Sequence, residues 1–116
     1  MTFERHELVL VPFPFTDRES SITRPALVLS AAAFEASTGQ LLLAMVTRAG
    51  RSDWPHDMPL EDWQRAGLRD PCLVRMKLFT VTHDLVRRRL GQLTAADARR
   101  VLTSLRQHLV LEENRS

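Results

Sequence analysis

The chain has 116 residues, 44% of them hydrophobic and 26% charged, with a formal net charge of +2 and one cysteine. A second core would need roughly 100 further residues, and the hydrophobic content is too high for a disordered chain. No apolar run approaches the ~20 residues of a membrane span, and a lone Cys72 excludes an internal disulfide framework and most cysteine-ligated metal sites. The first residues, Met1 to Glu7, carry acids and no apolar leader, so the expectation is a single cytoplasmic domain over residues 1–116 with no membrane contact.

Glu7-Leu8-Val9-Leu10-Val11 is compact and rich in β-branched residues, and Pro12-Phe13-Pro14 stops it, which predicts a first strand. Asp17 to Thr23 is polar and predicts a loop. Pro25 to Ser30 predicts a second, buried strand, and Leu41 to Thr47 a third, entered by a turn at Thr38-Gly39. Residues 48–71 hold three prolines, two glycines and both tryptophans, and predict a long connection with little regular structure. Two short strands follow, at Cys72–Met76 and Phe79–Thr82. The period then changes. Thr94-Ala95-Ala96-Asp97 reads as a helix start capped by Thr94, and Ala98, Val101, Leu102, Leu105 and Leu109 recur on one helical face. Five short strands and one amphipathic helix predict a mainly β fold, a small barrel or curled sheet with a packed C-terminal helix.

Charge is unevenly spread. Residues 1–74 carry 7 arginines against 10 acids, whereas residues 75–106 carry 8 basic residues against Asp84 and Asp97. Of the 16 basic residues only Lys77 is lysine. Arginine presents a planar fork of donors matched to phosphate, so this distribution is compatible with a polyanionic partner, although a solvated surface in an arginine-biased composition has the same appearance.

Five segments together carry a family resemblance. They are Glu7-Leu8-Val9-Leu10-Val11-Pro12-Phe13-Pro14-Phe15-Thr16-Asp17 with Thr23-Arg24-Pro25-Ala26-Leu27-Val28-Leu29-Ser30; Ala31-Ala32-Ala33-Phe34; Leu42-Leu43-Ala44-Met45-Val46-Thr47; Leu73-Val74-Arg75 with Phe79-Thr80-Val81; and a Leu90-Gly91-Gln92-Leu93 turn before Thr94. In this order and spacing, over roughly residues 6–110, the chain resembles the MazF/PemK-type toxins. The resemblance implies an SH3-like barrel that forms a homodimer and an endoribonuclease, an mRNA interferase, that cuts single-stranded RNA without metal or other cofactor. The expected products are a 2′,3′-cyclic phosphate and a 5′-hydroxyl, and the expected partner, besides RNA, is a cognate antitoxin protein. The same fold also hosts non-catalytic toxins that poison DNA gyrase by protein contact, and a decayed member that binds without cutting is a further alternative.

By the resemblance, Arg24 aligns with the family's catalytic arginine and Thr47 with its active-site threonine. Pro25 biases Arg24 toward an extended backbone, where a guanidinium can clamp two phosphate oxygens at once. A threonine hydroxyl can bind phosphate or orient the 2′-OH while neutral. Some relatives follow the arginine at Arg75 with an acid two positions on; here that position is Lys77, which removes the obvious carboxylate base. His83 is the substitute that imidazole chemistry suggests, a surface histidine beside Asp84 the plainer reading. Arg48, Arg51 and Trp54 are expected to contact RNA, the cations at phosphates and the indole by stacking on a base. Trp63 is expected to plug the barrel's end, Cys72 to be a buried inert thiol, and Arg87 and Arg89 to share a strand face along an RNA backbone or a charged edge.

Overall fold

The computed structural model describes residues 2–13 and 22–109, so most of the loop expected over Asp17 to Thr23 lies outside the described residues. Strands β1 (Glu7–Pro12) and β2 (Thr23–Val28) are followed by a short helix α1 (Ala32–Thr38). Then come β3 (Gln40–Arg48), β4 (Met58–Pro59), β5 (Cys72–Thr82), a 3₁₀ turn at His83–Leu85, β6 (Arg88–Gln92) and α2 (Ala95–His108). The strands form one antiparallel sheet in the order β4-β5-β3-β2-β1-β6. This mainly β, curled half-barrel with a C-terminal helix is the expected fold class.

Alternation along the strands splits the core in two. Leu8, Leu27, Ala44, Val46 and Val74 face one way and pack with Leu60, Ala66, Leu68, Leu93 and Val101. Val9, Val11, Ala26, Val28, Leu41 and Leu43 face the other way and pack with Phe3 and Val81. Because side chains of successive strand residues point to opposite faces, the apolar runs that lack polar alternation are strands buried on both sides.

The structure departs from expectation at three places. Ala32–Thr38 is a helix, built on alanines of high helix propensity and stopped by Gly39, whose φ of 70° closes the helix in the left-handed region. Cys72–Thr82 is one strand, not two; Met76 and Lys77 are a two-residue bulge with no partner on β3, which preserves the face alternation on either side. The Leu90-Gly91-Gln92-Leu93 segment is not a turn but the end of β6. Gly91 is needed there because the backbone of Ala66 and Gly67 presses against it: a Cβ on Gly91 would collide with the Ala66 carbonyl, and one on Gly67 with the Leu90 carbonyl. The edges β4 and β6 do not pair, and this 61–68 turn, with Trp63 half-buried against the core as expected, bridges them.

Thr94 caps α2 as predicted, accepting from the Asp97 N–H at 3.3 Å. Asp97 is itself buried and accepts from the backbone N–H groups of Glu61 and Asp62 at 3.2 and 3.0 Å, which ties the bridging turn to the helix. The apolar face of α2 is narrower than the sequence pattern. Ala98, Val101 and Leu105 pack on the core, whereas Leu102 and Leu109 are 38% and 39% exposed, because burying Asp97 rotates them toward solvent. Val101→Asp, placing an unpaired charge in the core, is expected to cost about 3 kcal/mol more than Leu102→Asp. Thermal denaturation checks this as a difference in melting temperature of more than about 10 °C.

Candidate nucleic-acid interface

The interface begins with the hydrogen-bond parity of β2. The Phe13 N–H donates to the Ile22 carbonyl at 2.9 Å, so β2 bonds to β1 through its even positions. The Leu29 N–H donates to the Leu42 carbonyl at 2.8 Å, so it bonds to β3 through its odd ones, Leu29 and then Leu27 opposite Ala44. The next such pair would join Pro25 to Val46, and proline has no N–H. The β1–β2 ladder continues to Thr23, but the β2–β3 ladder stops at Ala26 and Met45.

A cleft of about 510 Å³ lies where the strands part. Leu10, Pro25 and Val46 form its apolar floor with Leu68, Cys72 and Leu90, and Arg48, Arg51, Arg69 and Arg88 line it with Asp70. Arg24 and Thr47 line it too. Carrying the β2–β3 register past its last pair sets these two level, with their side chains on the same face, opposite to the floor's pleat. The Arg24 guanidinium lies 4.6 Å from the centre of the Phe13 ring, and its buried Nε has no hydrogen-bond partner among the described residues. Buried donors are seldom left without a partner, which marks this residue out for a role beyond packing. Arg48 is paired with Asp70 at 3.2 Å. Burial pushes the Cys72 thiol up from its usual pKa, helped by the charge of Asp70, so it stays protonated and inert as expected.

Arg75 and Lys77 are not in the cleft. Arg75 is buried and consumed by structure: its Nε and an Nη donate to both oxygens of Asp57 at 3.0 and 2.8 Å, and the same Nη donates to the Ser52 carbonyl at 3.3 Å. The bond to Asp57 raises its pKa further. This clasp holds the 52–57 segment over the sheet. Trp54 sits on it, 40% exposed, with the Lys77 ammonium 4.6 Å and the Arg75 guanidinium 6.0 Å from its ring. Arg75 pairs with Met45, two residues from Thr47, so Trp54 stands on the face of the sheet from which Thr47 projects.

His83 is elsewhere. Thr82 pairs with Gln40, at the far end of β3 from Thr47, and the His83 Nδ1 is bonded to the buried Glu35 at 2.8 Å. The histidine therefore ties β5 to α1 and does not meet Arg24. Arg88 and Arg89 part to opposite faces of β6, as strand alternation requires. Arg88 lines the cleft, while Arg89 bonds to Glu7 at 2.8 Å and covers the Phe3 ring at 4.5 Å. Arg69, Arg88 and Asp70 were not singled out from the sequence as cleft residues; the adjacent Arg69-Asp70 pair before Pro71 is the only signal, and it needs the β3–β5 register to gain meaning. Among the described residues, no group of three or more His, Cys, Asp or Glu stands where it would hold a metal ion. None of their helices is long and apolar enough to cross a membrane.

A family model described as PemK-like, MazF-like toxin of type II toxin–antitoxin system matches residues 4–109. No curated protein sequence matches the chain. Among solved structures it is similar to a MazE–MazF complex from Deinococcus radiodurans, with 21% identity, a TM-score of 0.73 and coverage of 97% of this chain and 99% of that one. It is similar to MazF from the same organism, with 23% identity, a TM-score of 0.72 and coverage of 96% and 99%. An endoribonuclease in complex with its cognate antitoxin from a Mycobacterial species gives 16% identity, a TM-score of 0.73 and coverage of 97% and 98%. At such identities the likeness is one of fold.

The clasp on Arg75 is checked by fluorescence. In a Trp63→Phe background, where Trp54 is the sole emitter, Asp57→Ala should raise quenching of Trp54 by acrylamide. Unchanged quenching would mean that the ion pair does not hold the segment.

Proposed function

The chain belongs to the PemK-like, MazF-like toxins of type II toxin–antitoxin systems, and on that premise we propose that it is a metal-independent endoribonuclease acting on single-stranded RNA. The observation that carries the proposal is that Arg24 and Thr47, from different strands, line one cleft edged with arginines. The substrate's 2′-hydroxyl attacks the adjacent phosphorus, the bond to the 5′-oxygen breaks, and the proton lost by the 2′-oxygen is balanced by the one gained at the 5′-oxygen. The products are a 2′,3′-cyclic phosphate and a 5′-hydroxyl.

Arg24 stabilises the charge that builds on the non-bridging oxygens. It is already extended, stacked on Phe13 and lacking a partner at Nε, so little reorganisation is needed as the transition state forms. Its role is electrostatic, since a guanidinium does not readily give up a proton. The Thr47 hydroxyl, level with it, orients the phosphate or the 2′-OH. Arg51, Arg69 and Arg88 hold flanking phosphates, Arg48 being paired with Asp70, and Trp54 offers a face to an unstacked base. Lys77 stands under Trp54 and outside the cleft, so the exchange of an acid for lysine there puts no cation among the residues that line it.

The partners follow from the same premise. Complexes of MazE with MazF and of an endoribonuclease with its antitoxin are among the structures that share this fold, which supports a cognate antitoxin as partner. The active form is proposed to be a homodimer in the cytoplasm.

The test is incubation of purified protein with a mixed single-stranded RNA in EDTA. Cutting should persist in the chelator, fall by about 100-fold or more in Arg24→Ala, and fall in Thr47→Ala with melting temperature retained. Intact RNA with the wild type, or unchanged cutting by Arg24→Ala, would remove the proposal.

A further inference from the structure

The two sides of the parted strands differ in chemistry. Arg24 and Thr47 supply a half-buried cation and a hydroxyl on one pleat. The cleft floor on the other pleat is apolar, made by Leu10, Pro25, Val46 and Leu90, and about 510 Å³ is within the range of pockets that enclose a small ligand. A phosphate has no use for an apolar floor, whereas a nucleobase does. The charged groups around the floor are cations with one exception. Arg48, Arg51, Arg69 and Arg88 only donate, and the protonated Cys72 thiol donates weakly. Asp70 is the only carboxylate among the described residues that line the cleft. It is half-exposed, and its Oδ2 is held by Arg48 at 3.2 Å, a contact that leaves Oδ1 out of the ion pair.

We propose that this cleft receives one unstacked base next to the scissile phosphate, and that Asp70 reads its edge and selects bases bearing an exocyclic amine over uracil. The inference rests on the nuclease reading above and adds the specificity of its site. A carboxylate accepts hydrogen bonds and donates none. The amines of adenine, cytosine and guanine satisfy it, whereas uracil sets two carbonyl oxygens beside its single N–H and turns negative edges toward the carboxylate. RNA is read in this manner, through splayed bases whose edges meet side chains. Arg48 holds Asp70 in place, while Arg51, Arg69 and Arg88 take the phosphates on either side, so affinity and selectivity fall to different residues.

The experiment uses the full chain and a randomised single-stranded RNA pool in EDTA, with the cut ends sequenced. One position beside the cut should exclude uracil by about tenfold or more, and Asp70→Asn, whose amide can also donate, should erase that exclusion. The asparagine variant alters the charge of the cleft, so the wild type is also tested on a substrate in which an adenine at that position is replaced by purine, which lacks only the amine. Cutting should slow by about tenfold or more. A wild type that admits uracil freely around the cut, an Asp70→Asn variant with the wild-type pattern, or a purine substrate cut as fast as adenine would each overturn the assignment while the nuclease reading stood. A wild type that releases no product from the pool would overturn both.

Discussion

β2 bonds to its two neighbours through alternate residues, and at Pro25 the residue whose turn it is to bond to β3 has no N–H to give. The consequence is local because the parity is strict. β1 keeps its hold on β2 out to Thr23, while β5 keeps its hold on β3 out to Arg48, so both strands remain paired on their outer sides after they have let go of each other. An ordinary frayed strand end would be mobile and filled by its own side chains. Here the gap has firm sides, and the residues bordering it inherit their positions from ladders on the far side of each strand. Rigid placement of this kind is what an electrostatic site needs, since donors that must move into place lose much of their advantage.

The arginines divide into those the fold consumes and those it leaves available. Arg75 is spent on Asp57 and Ser52, Arg89 on Glu7 and Phe3, and Arg100 on the buried Asp97 at 3.0 Å. The guanidinium groups of Arg51, Arg69 and Arg88 make no ion pair among the described residues, and all three line the cleft. The concentration of basic residues in positions 75–106 is therefore a poor guide to the charged surface. Much of that charge is internal mortar, and the cleft instead collects cations from β3, the loops on either side of the bridging turn, and β6.

Strand positions were legible because four of the six are apolar runs of the right length, and the capping residue Thr94 announced α2. Arg24 and Thr47 could be picked out by resemblance, and both line the one cleft. What the sequence could not convey has three physical sources. The α1 helix is a seven-residue segment without a side-chain cap, too short to show a period. The fate of Arg75 depended on Asp57, an exposed-looking aspartate in a proline-rich stretch whose path over the sheet has no local signature. The face of α2 was misjudged at Leu102 because Asp97, read only as part of the helix start, is buried by two backbone donors from the bridging turn. In the last two cases a long-range hydrogen bond outweighed a local pattern. His83 is the same lesson at a distance, since its pKa range recommended it for proton transfer and its bond to Glu35 withholds it.

The bridging turn links closure of the half-barrel to assembly of the cleft. It is clamped at one end by Asp97 and pressed at the other against β6, where Gly67 and Gly91 allow the two backbones to meet. Leu68, Arg69 and Asp70 follow at once, and the Pro71 carbonyl accepts from Ala49 at 3.0 Å, one residue beyond the end of β3. The segment therefore has no slack: both its ends are fixed within a few residues of the groups it contributes. An open sheet with edges at β4 and β6 would leave the floor of Leu10 and Val46 as a flat apolar patch, prone to association. Closing it by a turn rather than by strand pairing converts that patch into a pocket and, in the same step, hangs a carboxylate and a guanidinium over it. The geometry of the wall is thus as well determined as the contact between two glycines, which tolerates no side chain on either.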